Sequence, residues 1–365
     1  MQLPVIGKPA VCTQTANRST VHPTPVGLKE SAIAPGRTDS VGRQQLYGKL
    51  EPGDKVSLEA GNLAFQMASE IKAQVGSEVV VLNSSKLPLI YGSMKKTDKE
   101  DSLKLARLIE MMKDELLPTV PIPSEKELRR RTLVAGYRRV KKNRTQMINL
   151  LHGLFVHQGI TTVVKKDLAT KTKREEAVKQ LTGLEGEEAA WILTCLKAHE
   201  ERIVELERRM EEERKGDEQI KRLERVPGVG PLVALVFVSY LGDANRFDNA
   251  AQVSNYLGLV PRVDISGTIV RTGGITKRGN GWLRSLLVQA SWALLRWKDG
   301  GGLKAQYMTN EKGLGKKKSI VAIARKLGVL LYTLVKNGTE YEDRKFSGGK
   351  KADGIEHLAE EALAG

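Results

Sequence analysis

The spacing of apolar positions changes several times along the chain. KVSLEAG (55–61) and SEVVVLNSS (77–85) carry short β-branched and apolar runs bounded by turn residues, the mark of strands. Between them, apolar residues of NLAFQMASEIKAQVG (62–76) recur every three to four positions and stop at Gly76, which predicts a helix. Upstream, PAVCTQT, RSTVHPT and LKESAIA read as three short strands separated by turn residues. Downstream, TDKEDSLKLARLIEMMKDE (97–115) returns to helical spacing. A meander followed by strand, helix, strand and helix predicts a mixed sheet covered by helices over residues 1–120.

LLPTVPIPSEKELRR (116–130) is a proline-marked joint, with Ser124 and Glu127 spaced as a capping box. From 121 to 221 the pattern is helical. Its second half mixes spaced apolar positions with dense charges of both signs, as in a coiled-coil arm or a solvated bundle helix. From 222 to 345 glycine turns punctuate the chain. LERVPGVGPLVALVFVSYLG reads as helix, tight turn, helix; FDNAAQVSNYLGLVP as a helix; VDISGTIVRTGG as a hairpin; ITKRGNGWLRSLLVQASWALLRW as a basic turn running into an apolar helix. A Gly/Lys-opened stretch, 346–365, predicts a mobile tail.

Charge narrows the function classes. The 365 residues carry a formal net charge of +16, which points to a polyanionic partner. Only two cysteines occur, without CxxC or Cys/His spacing, which argues against a disulfide scaffold and structural zinc and fits a reducing cytoplasm. The longest apolar run, 231–242, is too short to span a bilayer.

Two groups of residues carry candidate chemistry. Asp98 and Asp101 stand three apart at a helix start, on one face. They either favour the helix N-terminus or, with Glu59 at the end of the predicted strand KVSLEAG, form an oxygen-ligand set of the kind magnesium prefers. In the second group, Gly228 and Gly230 allow a turn that leaves backbone N–H groups free for phosphate oxygens. Lys277, Arg278 and Asn280 sit at a helix start, with Arg271 and Arg284 nearby, and together favour phosphate contact. Ser266, in SG, is by itself a turn serine.

KVSLEAG, VVLNSS and KKTDKEDSLKLARL in that order, then GLVPR, SG, GGITKRGN and WLRSLLVQA, resemble the RuvC-like DEDD transposases of insertion sequences, relatives of the Piv-type DNA invertases. The resemblance covers around two-thirds of the chain. It implies an α/β plus α fold: an N-terminal RNase H-like domain (1–120), a helical connector (121–221) and a mainly helical C-terminal transposase domain with a helix-hairpin-helix-like turn (222–345). It also implies Mg2+ held by Glu59, Asp98 and Asp101, with Gln14 standing where the family carries its first acid. Ser266 falls at the position of the family's nucleophile. Double-stranded DNA, a structured guide RNA and a dimeric or tetrameric assembly are the implied partners. A hydrolytic RuvC-like nuclease and a catalytically silent DNA- or RNA-binding relative are the alternatives, the latter because Gln14 lacks a carboxylate.

Overall fold

The computed structural model describes residues 11–14, 39–61, 63–83, 105–106, 108–266, 269–297 and 301–342, and the chain divides into two compact units, Met1–Ser124 and Glu125–Gly365. Expected strands at RSTVHPT and LKESAIA, and the tail 346–365, lie outside the described residues.

In the first unit, β1 (Val11–Gln14), β2 (Lys55–Glu59) and β3 (Glu78–Leu82) form a sheet in that order. β1 runs antiparallel to β2, pairing Val11 with Leu58 and Gln14 with Lys55. β2 runs parallel to β3, pairing Lys55 with Glu78 and Glu59 with Leu82. β2 is central, so Val56, Ser57 and Leu58 are all buried instead of alternating. α1 (Ser40–Tyr47) opens on Asp39, whose carboxylate accepts from the Gly42 N–H at 2.9 Å. α2 (Ala64–Gln74) makes the crossover between β2 and β3, burying Met67, Ala68 and Ile71 on the sheet. Helical residues within 105–111 place Leu105 and Ile109 against Leu82 and Leu117. The mixed sheet with covering helices expected for this region is present; α1 was not foreseen.

The second unit is almost entirely helical. α3 (Glu125–His157) and α6 (Gly183–Lys215) are paired helices. Their cross-links fix an antiparallel direction: Arg130 to Glu213 at 2.9 Å, Tyr137 to Glu207 at 3.0 Å, Arg144 to Glu200 at 2.9 Å and His157 to Glu185 at 2.9 Å. Between them come two short helices, α4 (Lys165–Leu168) and α5 (Lys171–Val178). The connector is therefore a helical hairpin whose chain folds back on itself. Its far end has a separate core around Leu151, Phe155, Leu168, Ile192 and Leu196.

At the near end, Val134, Ile203 and Leu206 join the core of the C-terminal helices. α7 (Glu218–Glu224) and α8 (Pro231–Leu241) flank the PGVG turn, and α8 sits at the centre with Val236 and Phe237 wholly buried. α9 (Ala250–Leu257), the hairpin β4 (Pro261–Ser266) and β5 (Ile269–Ile275), α10 (Gly281–Arg296) and α11 (Gly301–Asn337) follow. α11 is interrupted at Gly315, just before the exposed lysines 316–318. Residues 121–221 and 222–345, separated by composition, thus share one apolar core at the hairpin base. No described helix is long and apolar enough to cross a membrane.

Candidate nucleic-acid interface

The expected basic turn is built by two chain segments that touch backbone to backbone. α9 ends on Gly258 at φ 66°, and the following strand leads away to β4. The return from β5 passes Thr276 and Lys277, whose N–H groups donate to the carbonyls of Val260 (2.8 Å) and Gly258 (3.2 Å). A Cβ on Gly258 would lie 2.1 Å from the Arg278 carbonyl oxygen, and one on Gly279, at φ 70°, would lie 2.2 Å from that of Tyr256. Neither contact leaves room for any side chain, and both dihedrals favour glycine. Lys277 between them holds φ 55°, an uncommon conformation for a residue with a Cβ.

The five side chains named in the sequence divide into builders and presenters. Asn280 caps α10: its side-chain oxygen accepts from the N–H groups of Trp282 (2.9 Å) and Leu283 (3.1 Å). Arg284 turns back under the loop, donating to the Leu257 carbonyl at 3.3 Å and to that of Arg278. Burial pulls the Arg284 pKa below its ordinary value, and the two carbonyls offset that desolvation. Asn280 and Arg284 therefore hold the loop rather than clamp a ligand. Arg271, Lys277 and Arg278 are exposed and free to meet phosphate oxygens.

Support reaches further back, through residues the sequence reading passed over. The Arg246 guanidinium lies 4.3 Å from the Phe247 ring centroid and 4.6 Å from that of Tyr256, and donates to the Leu241 carbonyl at 3.0 Å. Tyr256 donates to the Tyr240 carbonyl. This stack fixes the residue against which Gly279 packs. Arg262, on β4 beside Gly273, adds an exposed cation to the hairpin. Its only sequence signal was its place in GLVPR.

The two turn glycines differ. A Cβ on Gly228 would meet the Ala290 carbonyl oxygen at 2.4 Å and the Leu294 nitrogen at 2.6 Å, so this position lets the turn rest on the α10 backbone. A Cβ on Gly230 meets nothing within 4 Å. Gly230 precedes Pro231 at the first helical position, where no N–H is needed.

Ser266 is the last residue of β4 and pairs with Ile269 across the hairpin. Arg271 pairs with Asp264, two positions before Ser266. In the first unit, Glu59 ends β2 and is half-buried, at the same end of the sheet as Leu82. Gln14 pairs with Lys55, at the other end of β2. At 3.3 Å per residue that is a separation of about 13 Å along the strand. The antiparallel register therefore does not bring Gln14 to Glu59, and Gln14 does not fit as a fellow ligand. Asp98 and Asp101 lie outside the described residues. Among the described residues, no three His, Cys, Asp or Glu side chains gather as around a metal ion.

Residues 220–307, which span the PGVG turn, Ser266 and the basic loop, match the family model of the transposase IS116/IS110/IS902 family. The chain is 29% identical over 245 residues to a protein of Pseudomonas aeruginosa named "Probable family 20 transposase", covering 66% of this chain and 71% of that one. It is 31% identical over 218 residues to the transposase for insertion sequence element IS1111A of Coxiella burnetii, covering 56% of this chain and 57% of that one. Against the transposase for insertion sequence element IS1328 of Yersinia enterocolitica it is 28% identical, covering 55% and 60%. These last two relatives are matched over less than two-thirds of their length. With the family match falling on the segment that builds the basic loop, the chain is similar to the insertion-sequence transposases of the IS116/IS110/IS902 family.

Proposed function

We propose that this chain cuts and rejoins double-stranded DNA as an insertion-sequence transposase, using the hydroxyl of Ser266. One observation carries the reading. The segment matching the transposase family, residues 220–307, is the segment that fixes a cation-bearing loop and ends β4 on Ser266.

In this reading the Ser266 oxygen attacks the phosphorus of a phosphodiester. The bond to the 3′ oxygen breaks, that oxygen takes up a proton, and the 5′ phosphate remains esterified to the serine. Attack by a 3′ hydroxyl of the partner strand reverses the step, frees the serine and closes the new joint. The ester keeps the phosphodiester's free energy, so rejoining needs no ATP. Arg271, Lys277 and Arg278 hold the backbone phosphates as the charge shifts. In this reading Glu59, Asp98 and Asp101 of an RNase H-like domain would hold Mg2+, without Gln14, and none of the steps above runs through it. A structured guide RNA and a dimer or tetramer complete it.

The test is a denaturing gel of end-labelled duplex DNA incubated with the protein and Mg2+. A slow, protease-sensitive adduct is expected from the unaltered chain and none from Ser266→Ala. Cutting that survives in Ser266→Ala would reject the serine mechanism in favour of hydrolysis. The register of Gln14 favours a second reading, a nucleic-acid-binding relative without catalysis; neither protein would then form an adduct. Gln14→Asp would not restore activity in that case, because the new carboxylate would stand at the wrong end of β2.

A further inference from the structure

The helical hairpin carries a groove that the loop reading does not use. It has a volume of about 1060 Å³ and lies between the first half of α3 and the last half of α6. Its two carboxylates, Glu212 and Glu213, are already engaged: Glu213 by Arg129 (2.6 Å) and Arg130 (2.9 Å), Glu212 by Arg208. Arg209 is held by Glu205 at 2.6 Å. Arg139 and Arg202, on opposite walls, are exposed and have no carboxylate partner among the described residues. The groove is thus a positively charged furrow whose acids are spent and whose two opposed guanidiniums are open.

Dimensions select the occupant. Helices packed about 8–10 Å apart leave a furrow wide enough for one backbone, not for a whole duplex. The lining runs from Lys126 to Val140 and from Arg202 to Gly216, about 20 Å at 1.5 Å per residue. That length holds about six nucleotides at the 3.4 Å helical spacing of one strand. About three helical turns before Arg202, on the same stripe of α6, Trp191 is 55% exposed. An exposed indole beyond a cationic groove is a stacking platform for an unpaired base.

We infer that the groove between α3 and α6 binds the phosphodiester backbone of a single nucleic-acid strand, with Arg139 and Arg202 contacting phosphates from either side and Trp191 stacking on a base beyond them. The site is separate from the loop at Lys277 and Arg278, and it stands whether or not Ser266 is a nucleophile.

The full chain carrying Lys277→Ala and Arg278→Ala, so that the loop contributes little, is titrated against fluorescein-labelled 12-nucleotide single strands of DNA and of RNA by anisotropy. Adding Arg139→Glu and Arg202→Glu is expected to weaken binding at least tenfold. The neutral pair Arg139→Gln and Arg202→Gln is expected to lower the slope of log affinity against log salt by about 1.4, two phosphate contacts on a single strand. Trp191→Ala is expected to weaken binding without changing that slope. Whichever polymer loses more affinity names the source of the strand. Unchanged affinity and slope for both polymers overturn the inference. So does a change in mass by light scattering with unaltered anisotropy, which would make the groove a protein-docking surface. Both arginines are exposed and unpaired, so the neutral pair keeps the fold, checked by circular-dichroism melting.

Discussion

Gly279→Ala tests whether the basic loop is a fixed structure or a loose excursion. The position holds φ 70°, and the new methyl would meet the Tyr256 carbonyl oxygen at 2.2 Å. The left-handed conformation costs about 1–2 kcal/mol for a residue with a Cβ. Relief of the overlap needs a backbone shift of about 1 Å, and overpacking of that kind costs about 1–3 kcal/mol. The total, about 2–5 kcal/mol, matches or exceeds the about 1–3 kcal/mol that two backbone hydrogen bonds contribute. The loop should therefore detach from the α9 exit before the unit unfolds. Hydrogen exchange reads this directly. The N–H groups of Thr276 and Lys277, bonded to Val260 and Gly258, should lose most of their protection, while those of α8 keep theirs. DNA affinity should fall with them, because Lys277 and Arg278 would no longer be held in place. Gly274→Ala is the control, since a Cβ there meets nothing within 4 Å and no left-handed dihedral is involved. If Gly279→Ala kept full protection at both amides, the interlocked-turn account would be wrong.

Arg130 should be the costliest charge to remove. It is 4% exposed and joins Glu213 (2.9 Å) and Asp217 (2.7 Å), so Arg130→Ala leaves Glu213 to Arg129 (2.6 Å) and Asp217 to the exposed Lys126 (3.3 Å), and should cost about 1.5–3 kcal/mol in urea denaturation. Acid should weaken this junction and the separate one at Glu200. Burial by itself would raise the Asp217 and Glu200 pKa values, but hydrogen bonds from Arg130, and from Arg174 and Arg144, hold both below the ordinary carboxylate range. Groups with depressed folded-state pKa values contribute stability at neutral pH that is lost as pH falls below about 4. The melting temperature should drop there, and more shallowly in Arg130→Ala, which no longer has the Arg130 contribution to lose.

Periodicity located the helices that end on clear stops. α2 ends near Gly76, α9 at Gly258, and α10 starts after Asn280, each with a spaced apolar face in front of a glycine or a cap. α1 escaped notice because SVGRQQLY buries only Leu46 and Tyr47, too few to show a stripe. The pairing of α3 with α6 was equally hidden. Its cross-links join residues such as Arg130 and Glu213, far apart in sequence, and its heptads are too irregular to declare a partner. The candidate site was legible as a set of residue types but not as roles. Arg278 and Arg284 look alike in KRGNGWLR; only the fold turns Arg284 inward, onto two carbonyls. Strand register was the other hidden variable. Nothing in VCTQ announces an antiparallel pairing, yet that pairing separates Gln14 from Glu59.

The hairpin of α3 and α6 has cores at both ends and charged rungs between them. A single residue added to one arm would rotate everything beyond it by about 100° and misalign every later rung. Length can therefore change in descendants only by compensated insertions or deletions, close to whole turns, made in both arms together. The loop-and-short-helix segment joining the arms at the far end is under no such coupling, so natural length variation should collect there.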